Sequence, residues 1–587
     1  MKYRKTGKWD DPAKRPALLY FAQILEEMLF DFSLDTYKPS VMNTRLLCWE
    51  AIQTIKEIET GNIRAPNINH VAAELCANFE KDSVAKSLVP LPFSAFVPTL
   101  KNPKTPLKEL QNVLELLAVQ MKPSLYRSRN EKLLMEEIVG RQSLSEIRRL
   151  SRSYITTLIS MGFEQEHLLD KTLDFFYFGK DRITGPESVE KFFTLFPSEK
   201  TEFTVIFRVD AVFEHAAKAF AQTGLEITKK LPPEINLSGF PSFLPSGNKL
   251  YAIASKVKAR DVHSARSYAE SLLKLSSTLL SLFHHKKNPS WLPECIVYEP
   301  VEKKYRKISK PINSMHKCAD LIQPVASKRL ELFMSEFSLE RHSFSKFIRS
   351  SQLHSMALSS DSAENQILNL WISLESLVPS ETKGNDVSNI EHIVASLIPF
   401  LNIDYLGRLL NNLVKDLLRW NSTATRKALR PIPGRKFVDK IAKLLALSEF
   451  DAERAALEDS FKDFHLLSDR FSHFRSILLS PTTVLAALDA HKLRLEWQIR
   501  RIYRTRNIIV HSGVTPGYTR SLIEHTHDYL DTVLSALSEL ASETQSISSV
   551  GQGFKFIELR YTTLRKGLTQ KGLVFQIDNM DSLLFGR

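Results

Sequence analysis

Residues 501–513 read RIYRTRNIIVHSG, and the fold of the C-terminal half turns on whether this stretch closes a helix. Gly513, with Pro516 soon after it, is a stop signal: glycine takes the left-handed turn that ends a helix, and proline cannot continue one. Upstream, Ser480 and Pro481 form a start signal, a capping hydroxyl followed by a proline suited to the first turn. The spacing therefore predicts one long helix from residue 481 to the glycine. Steps of 100° place Arg500, Arg504, Asn507 and His511 within about 60° of one another, a polar, basic stripe. Ile502, Ile509 and Val510 lie toward the other side. Arg506 falls beside that apolar side, where a charge needs an acidic partner or a phosphate.

An arginine and a histidine five apart carry little information alone, because Arg349/His354 and Arg520/His525 share the spacing. Asn507 sharpens it. The string R-N-x-x-x-H occurs once, and Arg129-Asn130 has no matching histidine. Imidazole can donate and accept a proton near neutral pH, and guanidinium binds phosphate oxygens.

Apolar residues at three- and four-residue spacing predict helices in ALLYFAQILEEMLFDF (17–32), NHVAAELCANFEKDSVAKSLV (69–89) and LKELQNVLELLAVQM (107–121). The pattern changes near residue 201. FTVIFRVDA, KLYAIASKVKA and ECIVYEP read as strands, and EHAAKAFAQTG reads as a helix closed by Gly224. DVHSARSYAESLLKLSSTLLSLF is a strong helix with Asp261 as its cap. A turn-rich stretch, LPPEINLSGFPSFLPSGN, occupies 231–248. From about 326 the chain is helical again, with NSTATRKALRPIPGRK read as an interrupting basic loop. The expected organisation is mainly α: a helical N-terminal region over 1–200, a small α+β domain over 201–325, a helical domain over 326–545, and an unassigned tail over 546–587.

With RIYRTRNIIVHSG between two long helices and QILNLWISLESLV upstream, carrying Trp371 and Glu375, the chain from about 345 to 542 resembles the HEPN superfamily, in particular its Apea-like branch. The resemblance covers about a third of the chain. It implies a helical bundle that dimerises and, in many members, a metal-independent RNA endonuclease of antiviral defence or toxin systems, completed in a cleft between two protomers. On that basis His511 would move a proton at the ribose 2′-hydroxyl or the leaving oxygen. Arg506 would hold the scissile phosphate, and Asn507 would orient His511 or a phosphate oxygen. Arg500 and Arg504, in a stripe with Lys492, Arg494 and Arg501, are candidate RNA contacts, and Glu375 is a candidate partner for Arg506. Residues 1–325 would sense a trigger or restrain the nuclease. The alternative is a non-catalytic HEPN module that binds or dimerises within a regulatory complex.

Bulk properties agree with these expectations without fixing them. The 587 residues carry a net charge of +13 and are 43% hydrophobic, ample for buried cores and mildly suited to a polyanion. Cys48, Cys76, Cys295 and Cys318 form no C-x-x-C pair, so no disulfide framework or zinc knuckle is expected and a reducing, cytoplasmic setting fits. MKYRKTGKWDDPAKRP lacks a following apolar core, so a secretory signal is not expected. No run approaches the roughly 20 apolar residues of a membrane helix. His525 and His527 point about 200° apart on a helix and are set aside as metal ligands. His316 with Cys318, and His284 with His285, lack further ligands nearby in sequence. Phosphate-loop and nucleophile-elbow motifs are absent. No metal or cofactor is expected. The expected partners are an RNA substrate, a second copy of the chain, and a trigger or inhibitor protein.

Overall fold

The computed structural model describes every residue except 32–37, 39, 40, 234, 245–249, 287, 288, 319, 545, 571 and 587. The turn-rich stretch expected over 231–248 falls partly outside the described residues. The molecule is mainly α-helical with one small antiparallel sheet.

The first helix, α1 (Pro16–Leu29), is buried at every residue from Ala17 to Leu29. A helix buried on all sides, its Gln23, Glu26 and Glu27 included, is a core helix, and α1 lies against the helices Leu144–Ser160 and Gln165–Leu173. The next two, α2 (Thr44–Glu59) and α3 (Asn67–Phe79), pack as a pair. Asn43 caps α2 by accepting the Leu46 N–H at 3.1 Å. The single helical pattern expected over 69–89 is split, because Asp82 caps a new short helix at Ser83.

The sheet contains β1 (Thr201–Val209), β2 (Glu226–Thr228), β3 (Leu250–Ala259), β4 (Trp291–Glu299) and β5 (Lys304–Ile308), in the order β2-β3-β1-β4-β5. Period-two alternation splits β1 between two cores. Val205 and Phe207 pack with Ala265, Ala269 and Leu273 of helix α4 (Val262–Ser281), while Ile206 packs with Phe243 and Tyr251 on the opposite face. Asp261 caps α4, accepting the His263 and Ser264 N–H groups at 2.8 Å each. The short strands β2 and β5 are polar and were not foreseen.

The C-terminal bundle is built from α5 (Arg341–Ser359), α6 (Ala363–Leu377), α7 (Asn389–Ile403) and three later helices. Between them the chain leaves. Helices α8 (Tyr405–Leu429) and α9 (His465–Ile477) join the core of the N-terminal helices: Leu413, Leu417 and Phe471 are fully buried there with Leu19 and Phe21. Asp416 of α8 accepts the chain's first amino group at 2.7 Å, and Arg470 of α9 lies between Asp416 and Glu27. Helical periodicity identifies a buried face but not the face it meets, so the expected unit over 326–545 is spatially two pieces.

The stretch NSTATRKALRPIPGRK is helical as far as Leu429. The backbone breaks once, at Asn421 (φ −148°, ψ 90°), whose side chain accepts the Ala424 N–H at 2.9 Å and restarts the helix. A cluster of Asn, Ser and Thr reads as a loop but serves equally as a cap. Among the described residues one helical stretch, Asn389–Leu429, is apolar and long enough to cross a membrane. It is α7 and α8 meeting at Asp404, and their apolar residues are buried in the two cores.

The bundle is closed by α10 (Pro481–Ser512), α11 (Thr519–Ser538) and α12 (Val550–Leu568). The helix α12 lies in the tail that the sequence left unassigned. Its glycines lower helix propensity, and Gly553 has a packing reason: a Cβ there would collide with the Leu537 side chain of α11. Phe554 meets Phe400 of α7 with ring centroids 4.7 Å apart.

Candidate active site

The helix carrying the motif begins and ends where the sequence signals lie. Ser480 accepts the Thr483 N–H at 3.2 Å, and the Thr483 hydroxyl lies 3.0 Å from the Ser480 N–H, a reciprocal cap with Pro481 in the first turn. At the other end Gly513 has φ +68°, and its N–H donates to the Ile509 carbonyl at 3.1 Å. The space around a Cβ at Gly513 is open, so the positive φ alone accounts for glycine. Val484 and Leu488 of α10 belong to the N-terminal core, and Leu495, Ile499, Ile502 and Ile509 belong to the bundle core. One helix therefore spans both.

Most of the basic side of α10 is covered. Arg500 donates to both oxygens of Glu391 on α7, at 2.9 and 2.7 Å. Arg501 donates to Glu50 of α2 at 2.9 and 3.1 Å and to Glu74 of α3 at 2.6 Å. Arg504 donates to Glu50 at 2.8 Å. Of these six side chains all but that of Glu391 are buried. Burial pushes the Glu50 carboxyl up, but two guanidiniums outweigh it and hold the group down at about 2. Glu74 is shifted the other way, because burial and the neighbouring Glu50 outweigh its share of Arg501. Of the two, Glu50 is the firmly ionised member, since it faces both arginines. His70 of α3 sits 3.4 Å from Glu391, and burial together with Arg500 pushes its imidazole down to about 4.

This packing corrects the reading of Arg500 and Arg504 as RNA contacts. Both guanidiniums are engaged by carboxylates and removed from solvent, so they cross-link elements in this fold. The helical wheel correctly placed them on one side but could not show that α2 and α3 cover it.

The last turn and a half differs. Arg506 is half-buried. It donates from Nη1 to the Asn507 side-chain oxygen at 2.9 Å, its Nε is buried without a hydrogen bond, and among the described residues no carboxylate pairs with it. Asn507 is buried and thus orients Arg506, where the sequence reading had it orienting His511 or a phosphate. His511 is exposed at the helix end. No hydrogen bond links Arg506 to His511 among the described residues, and five helical steps separate them by about 140°. Glu375 accepts the Trp371 indole N–H at 3.1 Å and makes no ion pair with Arg506, so its role is to hold the buried indole. Trp371 in turn lies 5.6 Å, centroid to centroid, from Tyr503 of α10. The loop after Gly513 is tied down by the Thr515 hydroxyl, which donates to Glu364 of α6 at 2.6 Å.

Chemically, this end of α10 offers an oriented guanidinium with donors to spare and an accessible imidazole. No family model, curated protein or solved structure matches the chain.

Proposed function

We propose that the chain is a metal-independent RNA endonuclease of the HEPN type, acting in antiviral defence or as a toxin. The observation that carries this reading is the contrast within α10. Arg500, Arg501 and Arg504 are taken by carboxylates, whereas Arg506 has none among the described residues and shares the helix end with an exposed His511. In the proposed reaction His511 takes the proton of the ribose 2′-hydroxyl, which attacks the adjacent phosphorus, or returns a proton to the leaving 5′-oxygen. Arg506 holds the phosphate and balances its developing charge, with Asn507 fixing the guanidinium. The products are a 2′,3′-cyclic phosphate and a free 5′-hydroxyl. Because Arg506 and His511 diverge on one helix, a second copy of the helix end supplies the complementary group in a two-fold cleft. The carboxylates of α2 and α3 support a restraining role for the N-terminal region, since they fix the helix that carries the motif.

The test is RNA cleavage by wild type and His511→Ala in a short assay begun with excess chelator. The expected result is cyclic-phosphate ends from wild type and a loss of about 10²–10⁴-fold in the variant. Equal cleavage by both removes His511 from the mechanism. Absence of cleavage and of cellular toxicity points instead to a binding or dimerisation module.

A further inference from the structure

A second constellation lies elsewhere in the bundle and shares no residue with the end of α10. His527 and Asp531 are one turn apart on the same side of α11, with His527 Nε2 3.2 Å from an Asp531 carboxylate oxygen. Helix α5 contributes His354, whose Nε2 is 3.5 Å from the other Asp531 oxygen and whose ring centroid is 4.9 Å from that of His527. His354 Nε2 is buried and makes no hydrogen bond among the described residues. The short turn Ser314–His316, where the chain leaves the sheet, packs on α11 and delivers Cys318. The Cys318 sulfur and ligand atoms of His527 and Asp531 all lie within 4.8 Å of one another.

We propose that Cys318, His354, His527 and Asp531 bind a zinc-class divalent cation that fastens the exit of the sheet to the bundle. Zinc–nitrogen and zinc–oxygen bonds of about 2.0–2.1 Å and a zinc–sulfur bond of about 2.3 Å, arranged tetrahedrally, place neighbouring donors about 3.3–3.7 Å apart. The 3.2 Å between His527 Nε2 and one Asp531 oxygen is close to that spacing, and His354, 3.5 Å from the other oxygen, reaches the same centre by a small side-chain shift. A thiolate and two imidazoles favour zinc over magnesium or calcium, which take oxygen donors. One thiolate and one carboxylate also balance a 2+ ion. Cys318, His527 and Asp531 already cluster, and His354 as fourth ligand would complete a closed, structural centre. The sequence set aside His525 with His527 because the two diverge on a helix, and His316 with Cys318 because further ligands were lacking nearby in sequence. His525 does take no part, and the missing donors come from distant segments.

The experiment uses untagged full-length protein, stripped of metal and dialysed against zinc, with bound metal measured by mass spectrometry. About one zinc per chain is expected in wild type and essentially none in His354→Gln/His527→Gln. Cobalt loading is expected to give a tetrahedral spectrum with a sulfur-to-cobalt band, and Cys318→Ser to remove that band while circular dichroism stays unchanged. Failure of wild type to retain zinc, equal retention by the double variant, or a cobalt spectrum without the sulfur band overturns the proposal. If the double variant does not fold, the wild-type cobalt spectrum decides. No readout involves RNA, so the outcome is independent of the nuclease reading.

Discussion

The middle of α10 and its end carry the same kind of side chain in opposite circumstances. Over Arg500–Arg504 three guanidiniums face three carboxylates from α2, α3 and α7. At Arg506, among the described residues, the guanidinium meets an amide oxygen and no carboxylate. The comparison teaches that positive charge on a helix is not a phosphate site until its counter-charges are counted. Buried arginines with carboxylates hold elements together, while an arginine left without one keeps donors available for a ligand.

The comparison breaks most readily at Glu50. Replacing it with alanine leaves Arg501 and Arg504 buried with fewer counter-charges, and loss of about 3–5 kcal/mol is expected in chemical denaturation of the full chain. A loss below about 1 kcal/mol would mean that water or Glu74 takes over, and that the middle of α10 is less distinct from its end than the geometry indicates. Arg506→Ala tests the other side: cleavage should fall about 10²–10³-fold while stability changes by about 1 kcal/mol or less. If instead it destabilises the chain as much as Glu50→Ala does, Arg506 is another structural arginine. Gly513→Ala strains a left-handed residue and should cost about 1–2 kcal/mol, seen as a lower melting temperature. It should also disorder the helix end and so reduce cleavage beyond what stability explains.

The smallest effect is the dependence on pH. The His70 imidazole titrates at about 4 in the fold, below its ordinary value of 6.5, because burial and Arg500 disfavour its charge. A depressed pKa means that the unfolded chain binds the proton more readily. The stability tied to neutral His70 is therefore fully present above pH 6.5 and is lost as pH falls from 6.5 through 4. Glu50, held at about 2, stays ionised across that window. Comparing wild type with His70→Asn by thermal melts from pH 7 to 4 should show a flatter profile in the variant. Identical slopes would assign the acid sensitivity to other buried histidines.

The sequence contained the local grammar of this fold in full at some places and not at others. Ser480, Pro481 and Gly513 mark both ends of α10, and Asp261 marks the start of α4, because caps and stops act over a few residues. The alternation in β1, β3 and β4 was likewise readable. What escaped was everything decided by long-range packing: that α8 and α9 cross to the N-terminal core, that Gly553 permits α12 to approach α11, and that Glu50 and Glu74 reach the basic face of α10. The same limit governed the candidate site. Arg506, Asn507 and His511 were legible as a contiguous string, whereas the occupancy of Arg500 depended on Glu391, 109 positions away, and that of Arg504 on Glu50, 454 positions away. The grouping of Cys318 with His354, His527 and Asp531 was invisible for the same reason.

The double membership of α10 bears on how this protein can be taken apart. Its first half is seated among the N-terminal helices through Val484 and Leu488, and its second half in the bundle through Leu495, Ile499, Ile502 and Ile509. A fragment cut to residues 326–545 would carry Arg501 and Arg504 away from Glu50 and Glu74, expose the apolar faces of α8 and α9, and lose α12. Such a fragment is not a portable module. Whatever the end of α10 does, it does as the far end of a beam anchored in the rest of the chain, and transplanting it would require transplanting the anchor.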